Sequence, residues 1–252
     1  MIRKPLLHVL VALAAISSCT LGSAGAEEFD VAAATLAEPN QATRQVSTRD
    51  VRRSLADGSA ILVDTRTPAE YSAGHIPGAR TLGSASADPV EAVAQMAGGD
   101  KSRALILYCN GPFCQASRRL GDRLSAAGFS NVFRYQLGMP VWRALGGPTE
   151  IDVAGFLRVH GLDRTAVFVD ARSPEDFAKG SLPGARSLPV EAYIAGEIRQ
   201  PPLPEDDFNT RVVLFGRDAR QARELAEALG KRPWHNVSYV GDTFEALRGA
   251  IR

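Results

Sequence analysis

Cysteine is scarce in this 252-residue chain, and neither sign of charge is in excess. Three cysteines, Cys19, Cys109 and Cys114, are too few for a fold held together by disulfides. Lysine and arginine number 29 against 28 for aspartate and glutamate, so the net charge of +1 offers no basic surplus for nucleic acid. Hydrophobic residues at 45% and charged residues at 23% are usual for a globular protein, which excludes a disordered chain, a collagen and a coiled coil.

The first 26 residues have the layout of a bacterial export signal. Arg3 and Lys4 give a basic start, an apolar run follows at 6–16, and small residues end at Ala26. An uncleaved membrane anchor is the weaker alternative, because the run falls well short of the roughly 20 residues that a span needs. We therefore expect a signal peptide over residues 1–26, cleavage before Glu27, and a periplasmic or secreted protein.

A second processing signal overlaps the first. The sequence ISSC, which ends at Cys19, resembles a lipoprotein signal, in which the cysteine becomes the lipidated first residue. We expect the membrane as a partner only in that case. Cleavage before Glu27 would instead leave two cysteines in an oxidising compartment. Residues 27–46 show little periodicity and are predicted to be a leader or linker.

The chain contains an internal repeat with a period of 106 residues. The sequence ILVDTRTPAEY from Ile61 recurs as VFVDARSPEDF from Val167, and GHIPGAR from Gly74 recurs as GSLPGAR from Gly180. Two copies of one domain explain this pattern better than a single fold does. We assign the copies to residues 47–149 and 150–252.

Each copy alternates strands and helices, as α/β folds do. A short apolar run leads to a hydroxyl residue and a proline, Thr67-Pro68 in one copy and Ser173-Pro174 in the other, with an acid three residues past the hydroxyl. This pattern predicts a capped helix start. A second apolar run leads through a loop into a longer helix, and the alternation predicts parallel sheets with helices on both faces. The predicted strands are 60–63, 104–108, 166–169 and 211–215; the longer helices are 115–127 and 218–229, ending at Gly128 and Gly230; an earlier helix begins at Ser47 and ends by Gly58.

Three motifs in this order resemble the rhodanese (thiosulfate sulfurtransferase) family. They are a strand ending in VDTR at Arg66, the sequence GHIPGA from Gly74, and a strand ending in Tyr108-Cys109 before a short loop and a helix. The sequence YQLGMPVW, which ends at Trp142, is similar to the closing segment of the family. The resemblance covers residues 47–252 and implies two tandem rhodanese-like domains, each a parallel α/β sheet flanked by helices.

Cys109 is the candidate nucleophile, because sites in open α/β sheets form where strands end. Backbone N–H groups of a loop that enters a helix stabilise a thiolate and lower its pKa. The resemblance implies that Cys109 takes sulfane sulfur from a small donor as a persulfide and yields it to an acceptor of thiol or cyanide type. This covalent chemistry needs neither a metal nor an organic cofactor. The substrate-binding loop is predicted to comprise Asn110, Gly111, Pro112, Phe113 and Cys114.

The loop departs from the common family pattern C-x-x-G-x-R-S. Gly111 stands two residues after Cys109, and Cys114 stands where the pattern has arginine, which puts an anionic donor such as thiosulfate in doubt. Arg118 and Arg119 follow on the helix and are expected to be solvated. Three roles for Cys114 stay open: a resolving thiol that forms a disulfide with Cys109, the nucleophile itself, or a residue that merely lines the loop.

The second copy lacks this chemistry, since Gly216 stands in place of Cys109. We expect it to be structural, with Asp218 as a helix N-cap. His75 is expected to form structural hydrogen bonds, Asp64 and Arg66 to organise the loops at the strand end, and the tryptophan and phenylalanine residues to lie in the core. Two alternative functions remain: a periplasmic thiol–disulfide protein that uses both loop cysteines, and a non-catalytic binding module.

Overall fold

The structure, a computed structural model, describes residues 42–83 and 88–251. The expected signal peptide, Cys19 and most of the expected leader lie outside the described residues. None of the helices in the described part of the chain is long and apolar enough to cross a membrane.

Two repeats of the same ten elements make up the fold. The first contains β1 (Arg44–Gln45), α1 (Thr48–Asp57), β2 (Ile61–Asp64), α2 (Pro68–Ser72), β3 (Arg80–Thr81), α3 (Pro89–Met96), β4 (Leu105–Tyr108), α4 (Ala116–Ala126), β5 (Val132–Tyr135) and α5 (Gly138–Ala144). The second contains β6 (Thr149–Ile151), α6 (Val153–Leu162), β7 (Val167–Asp170), α7 (Pro174–Ala178), β8 (Arg186–Ser187), α8 (Val190–Ile194), β9 (Val212–Phe215), α9 (Ala219–Leu229), β10 (Val237–Val240) and α10 (Phe244–Ala250).

Each repeat builds one five-stranded sheet, and the two sheets have the same topology. The strand orders are β1-β5-β4-β2-β3 and β6-β10-β9-β7-β8, and all neighbouring strands are parallel. The prediction of two tandem α/β domains with parallel sheets is thereby confirmed. In the first sheet the central strand is β4, the strand that ends next to Cys109.

Both faces of each sheet are buried under helices, which explains the continuous apolar runs in the sequence. In the first sheet, Leu62 and Ile106 belong to the core on one face, and Val63 and Leu107 to the core on the other. The second sheet divides in the same way between two apolar clusters. This alternation follows from the period of two along a strand.

Helix caps account for most of the predicted boundaries. Ser47 and Thr67 each accept a hydrogen bond from the backbone of the third helical residue, and the acid at that position bonds back. Ser173 caps α7. The helices predicted at 115–127 and 218–229 begin and end within one residue of α4 and α9.

Two expectations need correction. Arg44 and Gln45, in the stretch that we expected to be a leader or linker, form β1 and pair with β5, so the sheet begins before residue 47. Gly230 follows α9 as expected, but its φ of −61° is right-handed. It is glycine for a different reason, since a Cβ there would overlap the backbone oxygen of Gly146.

The two repeats are joined by backbone contacts as well as by side chains. His75 and Glu150 exchange a pair of N–H to carbonyl hydrogen bonds of 2.9 Å in an antiparallel bridge. The Ser72 hydroxyl donates to the carboxylate of Asp152, which also caps α6. The Nδ1 of His75 donates to the Tyr71 carbonyl at 2.9 Å, and its ring stacks on the Tyr71 ring, so the expected structural role of His75 is confirmed.

Candidate active site

Cys109 lies at the carboxyl end of β4, and its side chain is only 3% exposed. Seven residues, 109–115, connect β4 to α4. Parallel strands on either side, β2 and β5, end at the same edge of the sheet. The sequence prediction that places a cysteine at a strand-to-helix junction therefore agrees with the structure.

Glycines give the loop its shape. Gly111 has a φ of +105°, a conformation that side chains disfavour, and its carbonyl accepts a 3.0 Å hydrogen bond from the Cys114 N–H. Gly138, at the start of α5, packs directly under the loop with a φ of +61°. A Cβ on Gly138 would overlap the Cys109 carbonyl oxygen and would lie 2.6 Å from the Gly111 nitrogen. The Met139 N–H donates to that same Cys109 carbonyl at 3.1 Å.

Two side-chain hydrogen bonds tie the loop to its surroundings. The Asn110 amide donates to the carboxylate of Glu70 on α2, and the Gln136 amide donates to the Pro112 carbonyl at 3.1 Å. The pKa of Glu70 is lowered, chiefly by its hydrogen bond from the Thr67 hydroxyl and further by the one from Asn110. The carboxylate is thus ionised when it holds the loop. Sequence reasoning missed Glu70 as a loop anchor, because its capping role already explained it.

Cys109 and Cys114 form a disulfide, with their Cα atoms 6.2 Å apart. The loop therefore brings the two sulfurs into bonding contact, as a resolving thiol requires. Cys109 cannot act as a nucleophile in this oxidised form. Cys114 is the less buried partner of the two.

Phe113 is 97% exposed, at the outer part of the loop. The expectation that the phenylalanines lie in the core is therefore wrong for this residue, and also for Phe208, which is 36% exposed. Asn110 is also exposed, whereas Gly111 is buried. The loop thus presents a free aromatic side chain beside a buried cysteine.

A buried polar network fixes the strand ends beneath the loop. The Arg66 guanidinium donates to both carboxylate oxygens of Asp64 and to the Gly74 carbonyl, so these two residues organise the strand end as expected. The Tyr108 hydroxyl donates to Asp64 at 2.6 Å, and burial raises the pKa of this phenol well above its usual value. Tyr108 is therefore a neutral hydrogen-bond donor that holds the last residue before Cys109.

Arg119 is exposed, as the sequence predicts, and it also borders a cavity of about 260 Å³. Thr65, which follows β2, and Ala116, the first residue of α4, line this cavity as well. The Thr65 hydroxyl donates to the carbonyl of Tyr108, the residue before Cys109. The cavity therefore lies at the edge of the sheet where the strands end, with Arg119 as one of its cations.

The helix that follows the loop has an open N-terminus. Gln115 occupies the N-cap position of α4, and no side chain in the described residues caps this helix. The equivalent helix α9 is capped by Asp218, whose carboxylate accepts from the Gln221 N–H at 2.9 Å, as predicted. The uncapped N–H groups and the positive end of the helix dipole favour an anion at the first loop. The Asp218 carboxylate repels one at the second.

Gly216 lies in a short, tightly packed turn that would confine a cysteine side chain. Only residues 216–218 connect β9 to α9, against seven residues in the first repeat. The Gln221 side chain folds over this short turn and accepts from the Arg217 N–H at 2.9 Å. A Cβ on Gly216 would lie 3.0 Å from the Ala222 nitrogen.

Comparisons with known proteins agree with the repeat. The family model described as "Rhodanese-like domain" matches residues 47–145 and 159–249. An HTH-type transcriptional regulator of Mycobacterium tuberculosis is 31% identical over 119 residues, which are 47% of this chain and 49% of that protein. The chain thus spans about half the length of this curated relative.

Two solved structures are among the matches to this chain. The rhodanese-like domain of the Anabaena protein Alr3790 is 29% identical, over 42% of this chain and 78% of that one, with a TM-score of 0.35. The thiosulfate sulfurtransferase of Pseudomonas aeruginosa is 24% identical, over 81% of this chain and 44% of that one, with a TM-score of 0.34.

Proposed function

Because the chain belongs to the rhodanese-like domain family, in tandem form, we propose that it is an exported sulfurtransferase whose first repeat carries the chemistry. Cys109 takes sulfane sulfur from a small donor and passes it to a thiophilic acceptor of thiol or cyanide type. The observation that carries this proposal is the position of Cys109 at the end of the central strand, in a loop that runs into an uncapped helix.

The reaction has two substitutions at sulfur. The Cys109 thiolate attacks the sulfane sulfur of the donor, a new S–S bond forms, and the rest of the donor leaves with the electron pair of the broken bond. The acceptor then attacks the outer sulfur of the persulfide, and Cys109 leaves as a thiolate. Both steps have an anionic sulfur at the loop, where the open N-terminus of α4 stabilises it.

Arg119 offers one contact for an anionic donor. Its position at the cavity beside Thr65 places a cation near the edge of the sheet where Cys109 lies. The second repeat offers no cysteine nucleophile, since residues 216–218 contain no cysteine and the short turn leaves little space for one. Its role in this proposal is structural.

Thiol–disulfide exchange is a second candidate function, which the Cys109–Cys114 disulfide favours. In that case both cysteines are essential, and the product is an oxidised or reduced dithiol with no sulfur transferred. A non-catalytic binding module would show neither reaction. Turnover of thiosulfate with cyanide as acceptor separates the sulfurtransferase from the binding module.

The test is intact-mass spectrometry of the reduced protein after treatment with thiosulfate, and in parallel with an organic persulfide. We expect a gain of one sulfur atom on the peptide that carries Cys109 in Cys114→Ser, which has no second thiol, and no gain in Cys109→Ser, which is close to isosteric and keeps the fold. A sulfur atom found on Cys114 in Cys109→Ser would move the nucleophile to that residue. No gain in Cys114→Ser with either donor would overturn the proposal.

A further inference from the structure

The geometry of the loop points to a second reaction of the same site: we infer that Cys114 attacks the Cys109 persulfide and releases inorganic sulfide. This inference rests on the proposed function, because it needs a persulfide on Cys109. It assigns to Cys114 the role of internal acceptor. The Cys109–Cys114 disulfide is then the product state of a turnover.

The loop holds Cys114 within reach of the inner persulfide sulfur. That sulfur is the Sγ atom of Cys109, and the disulfide shows that the Cys114 sulfur reaches it. The hydrogen bond from the Cys114 N–H to the Gly111 carbonyl fixes the outer part of the loop. The hydrogen bond from the Met139 N–H to the Cys109 carbonyl fixes the backbone of Cys109. Both cysteines are therefore positioned by backbone contacts that do not depend on a substrate.

Burial favours the internal acceptor over an external one. In the disulfide form Cys109 is 3% exposed, with Cys114 bonded to its sulfur, so an external thiol has little access to that sulfur while Cys114 stays in place. Cys114 already lies within the loop, and its attack loses no translational freedom. Sulfide release through Cys114 is therefore faster than sulfur transfer to a dilute external thiol.

The steps balance in atoms and electrons. After the donor has formed Cys109–S–SH, the Cys114 thiolate attacks the Sγ atom of Cys109, a bond forms between the two cysteine sulfurs, and the outer sulfur leaves with the bonding pair as hydrosulfide. An external dithiol then reduces the disulfide and is itself oxidised to a disulfide. In sum, one sulfane sulfur is reduced to sulfide by the two electrons of one dithiol.

The difference in exposure between Cys114 and Cys109 favours reduction of the disulfide by an external dithiol. Cys114 is half-buried where Cys109 is buried, so an incoming dithiol meets the Cys114 sulfur and Cys109 leaves as the thiolate. The uncapped N-terminus of α4 stabilises this leaving group. Each cycle therefore ends with Cys109 ready to accept sulfur again.

A single-turnover experiment tests the inference without a reductant present, because an added dithiol would itself release sulfide from a persulfide. The full protein is reduced, freed of reductant without exposure to air, and mixed with thiosulfate or, in a parallel sample, with an organic persulfide. Release of sulfite or of the organic thiol reports the first step, and sulfide release together with the intact mass reports the second. Wild type is expected to give one equivalent each of sulfite and sulfide and to finish as the disulfide.

The variant Cys114→Ser is expected to release sulfite, to retain one extra sulfur, and to release sulfide roughly tenfold or more slowly than wild type relative to its own sulfite release. Cys114→Ala serves as a second variant in case serine disturbs the loop. Sulfide release by both variants at the wild-type rate would overturn the inference, as would a wild type that keeps the extra sulfur. If neither sulfite from thiosulfate nor thiol from an organic persulfide is released by any of the proteins, the proposed function fails, and the inference with it.

Discussion

Gly138 packs against the backbone of Cys109, and a side chain at position 138 would not fit between the two residues. An ideal Cβ on Gly138 would overlap the Cys109 carbonyl oxygen, and the φ of +61° disfavours any side chain on its own account. The position of Cys109 therefore depends on a glycine that lies in another element of the same repeat. The effect of the close contact can be distinguished from the effect of the backbone conformation, because Gly58 has nearly the same φ, +65°, with nothing within 4 Å of its Cβ position.

Substituting these two glycines tests that dependence. Gly138→Ala is expected to displace the loop and to lower the rate of sulfur transfer sharply. Gly58→Ala should lose about 1–2 kcal/mol of unfolding free energy through backbone strain alone and keep its transfer rate. Steady-state transfer assays and chemical denaturation of both variants provide the comparison. Equal transfer rates in the two variants would contradict the proposed support of Cys109.

The oxidation state of the loop should control transfer to an external acceptor. Because the Cys109–Cys114 disulfide blocks the nucleophile, wild type purified without reductant is expected to be inactive until a dithiol is added. Cys114→Ser should transfer sulfur without that requirement. Thiosulfate:cyanide turnover with and without prior reduction provides the measurement.

Two other outcomes would assign Cys114 differently. If Cys114→Ser is as inactive as Cys109→Ser while wild type oxidises or reduces dithiols efficiently, thiol–disulfide exchange is the function. If Cys114→Ser changes neither the rate nor the need for reductant, Cys114 only lines the loop.

A cysteine at position 216 should not be enough to give the second repeat sulfur-transfer activity. In the double variant Cys109→Ser, Gly216→Cys, the new Cβ would lie 3.0 Å from the Ala222 nitrogen, and Asp218 occupies the helix N-terminus that an anion needs. We expect no persulfide on residue 216 by intact-mass spectrometry. Appearance of one would mean that the short turn can open to admit a donor.

His75 should make the stability of the fold sensitive to mild acid. Burial lowers its pKa below the usual 6.5, and outweighs the hydrogen bond to the Tyr71 carbonyl and the nearby Glu150 carboxylate, which act in the opposite direction. The unfolded chain therefore binds a proton at a higher pH than the folded chain does. The His75 contribution is complete above pH 6.5 and is lost as the pH falls from 6.5 towards the lowered pKa of the folded state.

Chemical denaturation across this pH range gives the measurement. Wild type is expected to lose unfolding free energy as the pH decreases below 6.5. His75→Gln, which keeps a hydrogen-bond donor and has no titrating ring, should show a flatter dependence. An unchanged slope in the variant would assign the acid sensitivity to other groups.

The expected signal peptide leads to a separate prediction, which concerns residues outside the described part of the chain. The protein recovered from the cells that naturally produce it is expected outside the cytoplasm with Glu27 as its first residue, by N-terminal sequencing or mass spectrometry. A diacylglycerol-modified Cys19 would establish the lipoprotein alternative. An intact Met1 would overturn both.

Repetition made the fold predictable from the sequence. Matching segments from Ile61 and Val167 fixed the order of elements twice, and the hydroxyl-proline-acid pattern at Thr67 and Ser173 located helix starts to within a residue. Local patterns of this kind suffice because apolar runs and caps act over a few neighbours. Cys109 was located in the same way, as the residue after a buried strand.

Contacts between distant residues were not predictable. The two-residue strand β1 has no periodicity, and it exists because β5 offers it hydrogen bonds. The hydrogen bond from Asn110 to Glu70 joins positions forty residues apart. The exposure of Phe113 depends on how the loop leaves the sheet, which hydrophobicity alone does not encode.

The contact between Gly146 and Gly230 restricts how the two repeats can diverge. A Cβ on either glycine would overlap the backbone oxygen of the other, so neither position accepts a larger residue while the other stays as it is. Because the clash is with main chain, a compensating change of side chain cannot relieve it. The copies differ in their loops, one with a cysteine pair and one shortened, but substitution at this pair requires the backbones themselves to separate. Glycine is therefore expected to be retained at both positions for as long as the two repeats keep this contact.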